Sequence, residues 1–274
     1  MRIMFIGAHP DDAEASAGGT LARLARTGAQ VKMLSVTNGD AGHFADKYRE
    51  DRGRLAVRRR AEAADAAALI GAESGDLGVH DGEVVVDLDL TRRVVREIRL
   101  FGLRGGGPDL IITHRPVDYH RDHRYTSRLV LDAAYVLTVP LFCPDTPHLD
   151  RDPVIAYHAD GFTEGGVFRP DVRVDISDTA ETKARMLAAH ASQMFEWLPY
   201  NGGRLDTIPA DPEARLDLMR KRVRSRGEWA RGLTENTPLR ASSPGDCAIS
   251  EVFQISEYGR QPGNDELNEL FGLL

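Results

Sequence analysis

Gly7-Ala8-His9-Pro10-Asp11-Asp12-Ala13-Glu14 stands between an apolar run, Arg2-Ile3-Met4-Phe5-Ile6, and small and apolar residues from Ala15 to Ala29. The run before it reads as a buried strand, and the stretch after it, closed by Gly28, reads as a helix. The octet is therefore the turn where a first strand hands over to a first helix, and in open α/β sheets that edge binds ligands. Pro10 fixes its own φ and pushes His9 toward an extended backbone, so the imidazole and the carboxylates can point the same way. His9 and Asp12, three apart, can reach one cation, and Asp11 between them is left free. An imidazole, a carboxylate and a free carboxylate suit an open metal site with its base. The plainer alternative is that Asp11 and Asp12 only cap the helix.

Further along, Val31 to Val36 is a second strand ending in Thr37-Asn38-Gly39-Asp40, at the same sheet edge if the crossover is right-handed. Residues 41–55 are polar and charged and read as a mobile flap, with His43 a solvated loop residue. Leu55 to Ile70 is an Ala-rich helix carrying Arg58-Arg59-Arg60 and Glu62. Leu77 to Gly82 reads as a third strand and its turn, and Leu88 to Phe101 as an amphipathic helix. Gly105-Gly106-Gly107-Pro108 breaks that helix before a fourth strand, Asp109 to Thr113. Four strand–helix units give an α/β fold: a Rossmann-like open sheet, mostly parallel, with helices on both faces. No Gly-x-Gly-x-x-Gly follows the first strand, so the dinucleotide fingerprint is missing.

The fourth strand delivers His114-Arg115-Pro116-Val117-Asp118-Tyr119-His120-Arg121-Asp122-His123. The chain has 9 histidines, and a third of them lie in these ten residues, which packing does not explain. A helix follows over 124–139, with His120 and His123 on one face at its start. One of them can ligate a metal and the other meet a bound substrate, with Asp122 or Asp118 orienting an imidazole.

Beyond 150, Val154 to His158, Val172 to Ile176 and Ile249 to Ile255 read as strands, and Thr179 to Phe195 and Asp211 to Leu233 as helices. His158 fits a half-buried strand position as well as a pocket. The 274 residues read as one domain, 1–274, with a core over about 1–140 and a remainder over about 150–274 that completes the pocket. Hydrophobic residues at 42% suffice for a full core, and a net charge of −7 without a basic block argues against nucleic acid. Two cysteines outside any CxxC pair suggest a reducing, cytoplasmic setting, and neither a leader nor a membrane span is visible.

Ala8-His9-Pro10-Asp11-Asp12 and His120-Arg121-Asp122-His123 together resemble the paired (P/A)HPDD and HxDH motifs of the LmbE-like, or PIG-L, zinc-dependent N-deacetylases. Weaker echoes are Thr37-Asn38-Gly39, Arg59-x-x-Glu62, Asp175-Ile176-Ser177, Lys183, His190-Ala191-Ser192-Gln193 and Glu251-Val252-Phe253. The resemblance implies that His9, Asp12 and His123 bind zinc and that Asp11 is the general base for water at the metal. It implies that His120 stabilises the oxyanion with Asp122 orienting it, and that Arg59 and Asp81 contact a sugar. Some mycothiol-pathway relatives carry Tyr two residues before the HxDH histidine, where this chain has Asp118.

The function so implied is removal of an N-acetyl group from a small molecule bearing N-acetylglucosamine. A His₂Asp site also suits Fe²⁺, Co²⁺ or Mn²⁺. A deacylase of a non-sugar amide, a metal- or nucleotide-binding module without turnover, and a phosphoesterase are the rivals. The free carboxylate of Asp11 speaks against a pure binder, and the shortage of bridging carboxylates against a two-metal phosphoesterase. The long charged helix over 211–233 is compatible with a homo-oligomer.

Overall fold

A computed structural model describes residues 1–102, 106–245 and 247–273. In chain order the strands are β1 (Arg2–Gly7), β2 (Gln30–Thr37), β3 (Glu73–Val79), β4 (Leu110–Thr113), β5 (Val154–His158), β6 (Val172–Asp175), β7 (Ala241–Ser242) and β8 (Ser250–Gly259). The helices are α1 (Asp12–Arg26), α2 (Asp46–Glu50), α3 (Arg52–Ala68), α4 (Leu88–Leu100), α5 (Arg121–Ala134), α6 (Ala180–Ala189), α7 (Leu198–Asn201), α8 (Pro212–Gly232) and α9 (Asn264–Leu270). A π-helix, Ser192–Trp197, joins α6 to α7.

The strands form one eight-stranded sheet in the order β3-β2-β1-β4-β5-β8-β6-β7. β1 pairs in parallel with both β2 and β4, and β8 runs antiparallel to β5 and β6. The fold is thus the open, mostly parallel α/β sheet that the strand–helix alternation predicts.

Strands buried on both faces need apolar side chains at every position, not at alternate ones. Ile3, Phe5, Leu110 and Ile112 pack on one face with Leu21 of α1 and Met186 of α6. Met4, Ile6 and Ile111 pack on the other with Ile98 of α4 and Leu129 of α5. All of these are essentially inaccessible to water.

The chain order reverses between β1 and β4, because β2 and β3 extend one way and β5 the other. Ligands of open α/β sheets bind beyond the carboxyl ends of the strands at such a switch point. Gly7 ends β1 and Thr113 ends β4. Both motifs therefore leave adjacent strands at one crevice.

Several expectations are corrected. The stretch 41–55 is not a loose flap, since it holds α2 and the start of α3. Asp51 caps α3 by accepting from the Gly53 amide at 2.9 Å, a local signal that its polar surroundings obscured. β3 lies four residues earlier than expected because it is a half-exposed edge strand, Glu-Ser-Gly-Asp-Leu-Gly-Val, without an apolar run. The helix expected over 179–195 ends at Ala189 and resumes as the π-helix, because His190 is drawn into the protein toward Glu14. The helix expected over 124–139 begins at Arg121, so its first turn contains the second motif, and it runs as α-helix to Ala134 and as 3₁₀-helix over Tyr135–Thr138. α4 ends at Leu100, one residue short of the expected Phe101, while Gly105 of the expected break lies outside the described residues.

Candidate active site

The octet folds as a tight turn in which the Asp11 and Asp12 amides both donate to the His9 carbonyl, at 2.9 and 3.2 Å. Gly7 is required by close approach, since a Cβ there would lie 2.8 Å from that of Asp12. The Asp12 carboxylate reaches back to the amides of Ala8 and His9, at 2.8 and 2.7 Å. Asp11 precedes α1 yet makes no side-chain capping hydrogen bond. Helix capping therefore does not account for it. Instead its Oδ1 accepts from Arg59 Nη2 at 2.7 Å.

His123, in the first turn of α5, meets the octet across the crevice. His9 Nδ1 and His123 Nε2 are 3.3 Å apart, and each lies 3.6 Å from an oxygen of Asp12. Four ligands at zinc distances of about 2.0–2.1 Å in a tetrahedron stand about 3.4 Å from one another. The contacts among His9, Asp12 and His123 are of that length, His9 facing Oδ2 of Asp12 and His123 facing Oδ1. His120 joins this group, its ring 4.7 Å from that of His9 and 5.0 Å from that of His123.

Each corner of the triangle is backed by a polar partner, as ligating side chains commonly are. His9 Nε2 lies 3.1 Å from Asp81 Oδ1, and His123 Nδ1 lies 3.1 Å from Asp118 Oδ1. Asp12 Oδ2 lies 3.1 Å from His114 Nε2, whose Nδ1 in turn lies 2.9 Å from His158 Nε2. Asp118, at the position where some relatives carry Tyr, thus stands behind His123, and Tyr119 is exposed.

Charges follow this packing. Burial opposes a charged His9, but Asp12, Asp122 and Asp81 outweigh it and hold its pKa well above the usual value. Burial likewise opposes an ionised Asp81, yet the His9 contact brings it down to about 2. Burial and the neighbouring imidazoles push His120 below its usual value, and burial takes His158 to about 3. The site is a nest of compensated carboxylate–imidazole pairs.

Asp122 differs from its expected place. Its backbone amide, not its carboxylate, meets His120, donating to Nδ1 at 3.2 Å. With Nδ1 accepting, the ring proton sits on Nε2 as a donor. The Asp122 carboxylate accepts from the amides of Gly82 and Val84, at 2.6 and 3.4 Å, and so fixes the loop that carries Asp81.

Arg59 and Asp81 both line the cavity, but each touches a site residue, Asp11 and His9 respectively. His43 is not solvated: its ring is 3% exposed and lies 2.8 Å from Glu196. His158 is fully part of the site rather than a half-buried strand residue. The sequence assigns His114 no role and leaves His158 open between pocket and strand, although His114 is the first residue after a fully buried strand at the switch point.

The cavity over these groups measures about 670 Å³. The π-helix walls it with Gln193, Met194 and Trp197, and α8 contributes Arg222 and Arg226.

Fold and site define an open-sheet α/β protein with a polar, histidine- and aspartate-lined centre at its switch point. The chain belongs to the PIG-L family: residues 4–134 match the family described as GlcNAc-PI de-N-acetylase. It is 30% identical over 208 residues to the diacetylchitobiose deacetylase of Thermococcus kodakarensis, covering 73% of this chain and 74% of that one. Among solved structures, the N,N'-diacetylchitobiose deacetylase of Pyrococcus horikoshii superposes with a TM-score of 0.68 at 21% identity, over 93% of this chain and 83% of that one. GalB, the 4-carboxy-2-hydroxymuconate hydratase of Pseudomonas putida KT2440, superposes with a TM-score of 0.69 at 20% identity, over 95% and 98%. The last two likenesses concern the fold.

Proposed function

We propose that this protein is a metal-dependent amide hydrolase that removes the acetyl group from an N-acetylglucosamine-bearing small molecule. The observation that carries the reading is the unligated carboxylate of Asp11, anchored by Arg59 beside the triangle of His9, Asp12 and His123. The donor set fits a divalent cation: two imidazoles and one carboxylate within about 3.6 Å of one another, each with a polar partner behind it. His9, Asp12 and His123 would hold zinc, or Fe²⁺, Co²⁺ or Mn²⁺, which when bound supplies Lewis-acid polarisation and a more acidic water.

The chain's own residues then divide the remaining work. Arg59 binds one oxygen of Asp11 and leaves the other to take the proton of a water attacking the acetamide carbon. His120 Nε2–H faces the cavity as a donor to the developing oxyanion, the term usually worth most in such reactions. The C–N bond breaks as Asp11 passes its proton to the departing nitrogen, giving acetate and a free amine. Asp81 and Asp118 keep the His9 and His123 rings turned toward Asp12. The relative from Thermococcus kodakarensis acts on diacetylchitobiose, which supports a sugar amide.

A hydratase reading is favoured by one observation, 24% identity over 201 residues to the 4-oxalmesaconate hydratase of Pseudomonas putida. The test separates the two. Amine release is measured from N-acetylglucosamine, its glycosides and its disaccharide, with wild type loaded with zinc and with Asp11→Ala. Release that requires the metal and falls at least about 10²-fold in the variant is the expected result. Absence of release from the whole panel by zinc-loaded wild type defeats the deacetylase reading.

A further inference from the structure

Beyond the reacting end, the cavity continues past Ala15 and Ser16 of α1 into a second lobe of about 540 Å³ beneath α8. The two spaces share Ala15, Ser16, Arg222 and Arg226, so they form one continuous cleft. Together they exceed what a single acetamido sugar fills, since pockets of roughly 300–1,000 Å³ take drug-sized ligands.

The charges of the two ends differ. Every carboxylate lining the reacting end has a cationic or imidazole partner: Asp11 with Arg59, Asp12 with His114, Asp81 with His9, Asp118 with His123 and Asp160 with Arg115. The lobe beneath α8 is lined by Lys183, Arg222 and Arg226 and, among the described residues, by no carboxylate. Lys183 is neutralised by Glu251 at 2.5 Å. Arg226 is held in place: its guanidinium lies 3.6 Å over the Trp229 ring, and its Nη2 donates to the Ala159 carbonyl at 3.1 Å. That leaves its Nε and Nη1 for another acceptor. Arg222, one helical turn before it and exposed, has no hydrogen bond or ion pair among the described residues. Two guanidiniums at i and i+4 on one face, neither in an ion pair among the described residues although Asp160 acts on Arg226 from beyond contact, suit an oxyanion with two or three acceptor oxygens in a protein of net charge −7.

We infer that Arg222 and Arg226 form a subsite for an anionic group, carboxylate or phosphate, on the part of the substrate distal to its acetamide. The inference rests on the deacetylase reading for the identity of the other end. The substrate class is therefore an acidic N-acetylglucosaminide, in which Trp229 and Ser16 face the linkage and the arginines take the acid.

The test compares three N-acetylglucosamine derivatives: the neutral methyl glycoside, the carboxymethyl glycoside and the 1-phosphate. Zinc-loaded wild type is expected to favour one or both acidic substrates over the methyl glycoside by at least about 10-fold in kcat/KM, carried by KM. Raising the salt from about 50 to about 500 mM shrinks that ratio. In Arg222→Ala/Arg226→Ala the ratio falls to near one, and Arg222→Glu inverts it. Whichever acid is preferred identifies the group. A ratio near one in wild type, or one that the variants do not move, overturns the subsite. Calorimetric binding of glucosamine 1-phosphate against methyl glucosaminide needs no turnover. Anion-selective binding lost in the double variant, with no acetamide cleaved, keeps the subsite and defeats the deacetylase reading. Cleavage of the methyl glycoside without any preference for acids keeps the deacetylase and defeats the subsite.

Discussion

At the scale of single residues, the site turns on which carboxylates are engaged. Asp12 uses its side chain to staple the octet through two backbone amides, whereas Asp11 gives one oxygen to Arg59. Neighbours in sequence thus part in role, one held by its own turn and the other by a helix elsewhere in the chain. Asp81 was expected to contact a sugar, yet its oxygen lies 3.1 Å from the far nitrogen of His9. Asp81→Ala should therefore weaken zinc affinity by about 10–100-fold, measured by competition with a chromophoric chelator. An unchanged affinity with a raised KM would instead make Asp81 a substrate contact.

At the scale of elements, the weaker echoes of the second half turn out to be tertiary partners of the first. Arg59 packs against Gly39, whose φ of +67° and lack of Cβ leave room for the guanidinium. Glu62 accepts from the Ser192 amide and hydroxyl, at 2.9 and 2.5 Å, fixing the entry to the π-helix. The Glu251 carboxylate accepts from the Gly19 and Thr20 amides, while Lys183 donates to the Ala15 carbonyl. This buried ion pair is inserted alongside α1, the helix that presents Asp12. Glu251→Ala leaves Lys183 buried and alone, and should cost about 3–5 kcal/mol in urea unfolding. A loss below about 1 kcal/mol would show that the pair carries no such role.

The π-helix is tied to α3 by a second pair. Arg58 donates two hydrogen bonds to Glu196, at 2.6 and 2.8 Å, and His43 lies 2.8 Å from the same carboxylate. These bonds, Arg58 first, hold Glu196 at about 2 against an ordinary 4.5. A carboxyl depressed on folding stabilises above its unfolded pKa, and the gain is lost as pH falls through the folded value. Glu196→Gln should therefore cost about 1–2 kcal/mol at pH 7, a figure reduced for a side chain one-third exposed. The difference between variant and wild type should close between about pH 4.5 and about pH 2, followed by thermal unfolding. A gap constant across that window would dissociate the pair from stability.

At the scale of the molecule, one sheet order explains why two motifs a hundred residues apart meet. The reversal between β1 and β4 opens the crevice, and each motif is the first turn after one of those strands. No helix among the described residues is long and apolar enough to cross a membrane. The sequence by itself determined the alternation of strands and helices, the two motifs and the sheet edge they share. Those features rest on local apolar periodicity and on side-chain chemistry at short spacing. It misread 41–55, the edge strand β3 and the interruption after α6, where capping and buried polar contacts outweigh periodicity. Only the tertiary structure decided that His114 and His158 stand behind Asp12, that Arg59 holds Asp11, that the Asp122 amide sets His120, and that Arg222 and Arg226 face the cleft. Apart from the local bond between Asp122 and His120, each of those facts brings together segments far apart in the chain, and no pattern along the chain encodes which buried polar group will answer which.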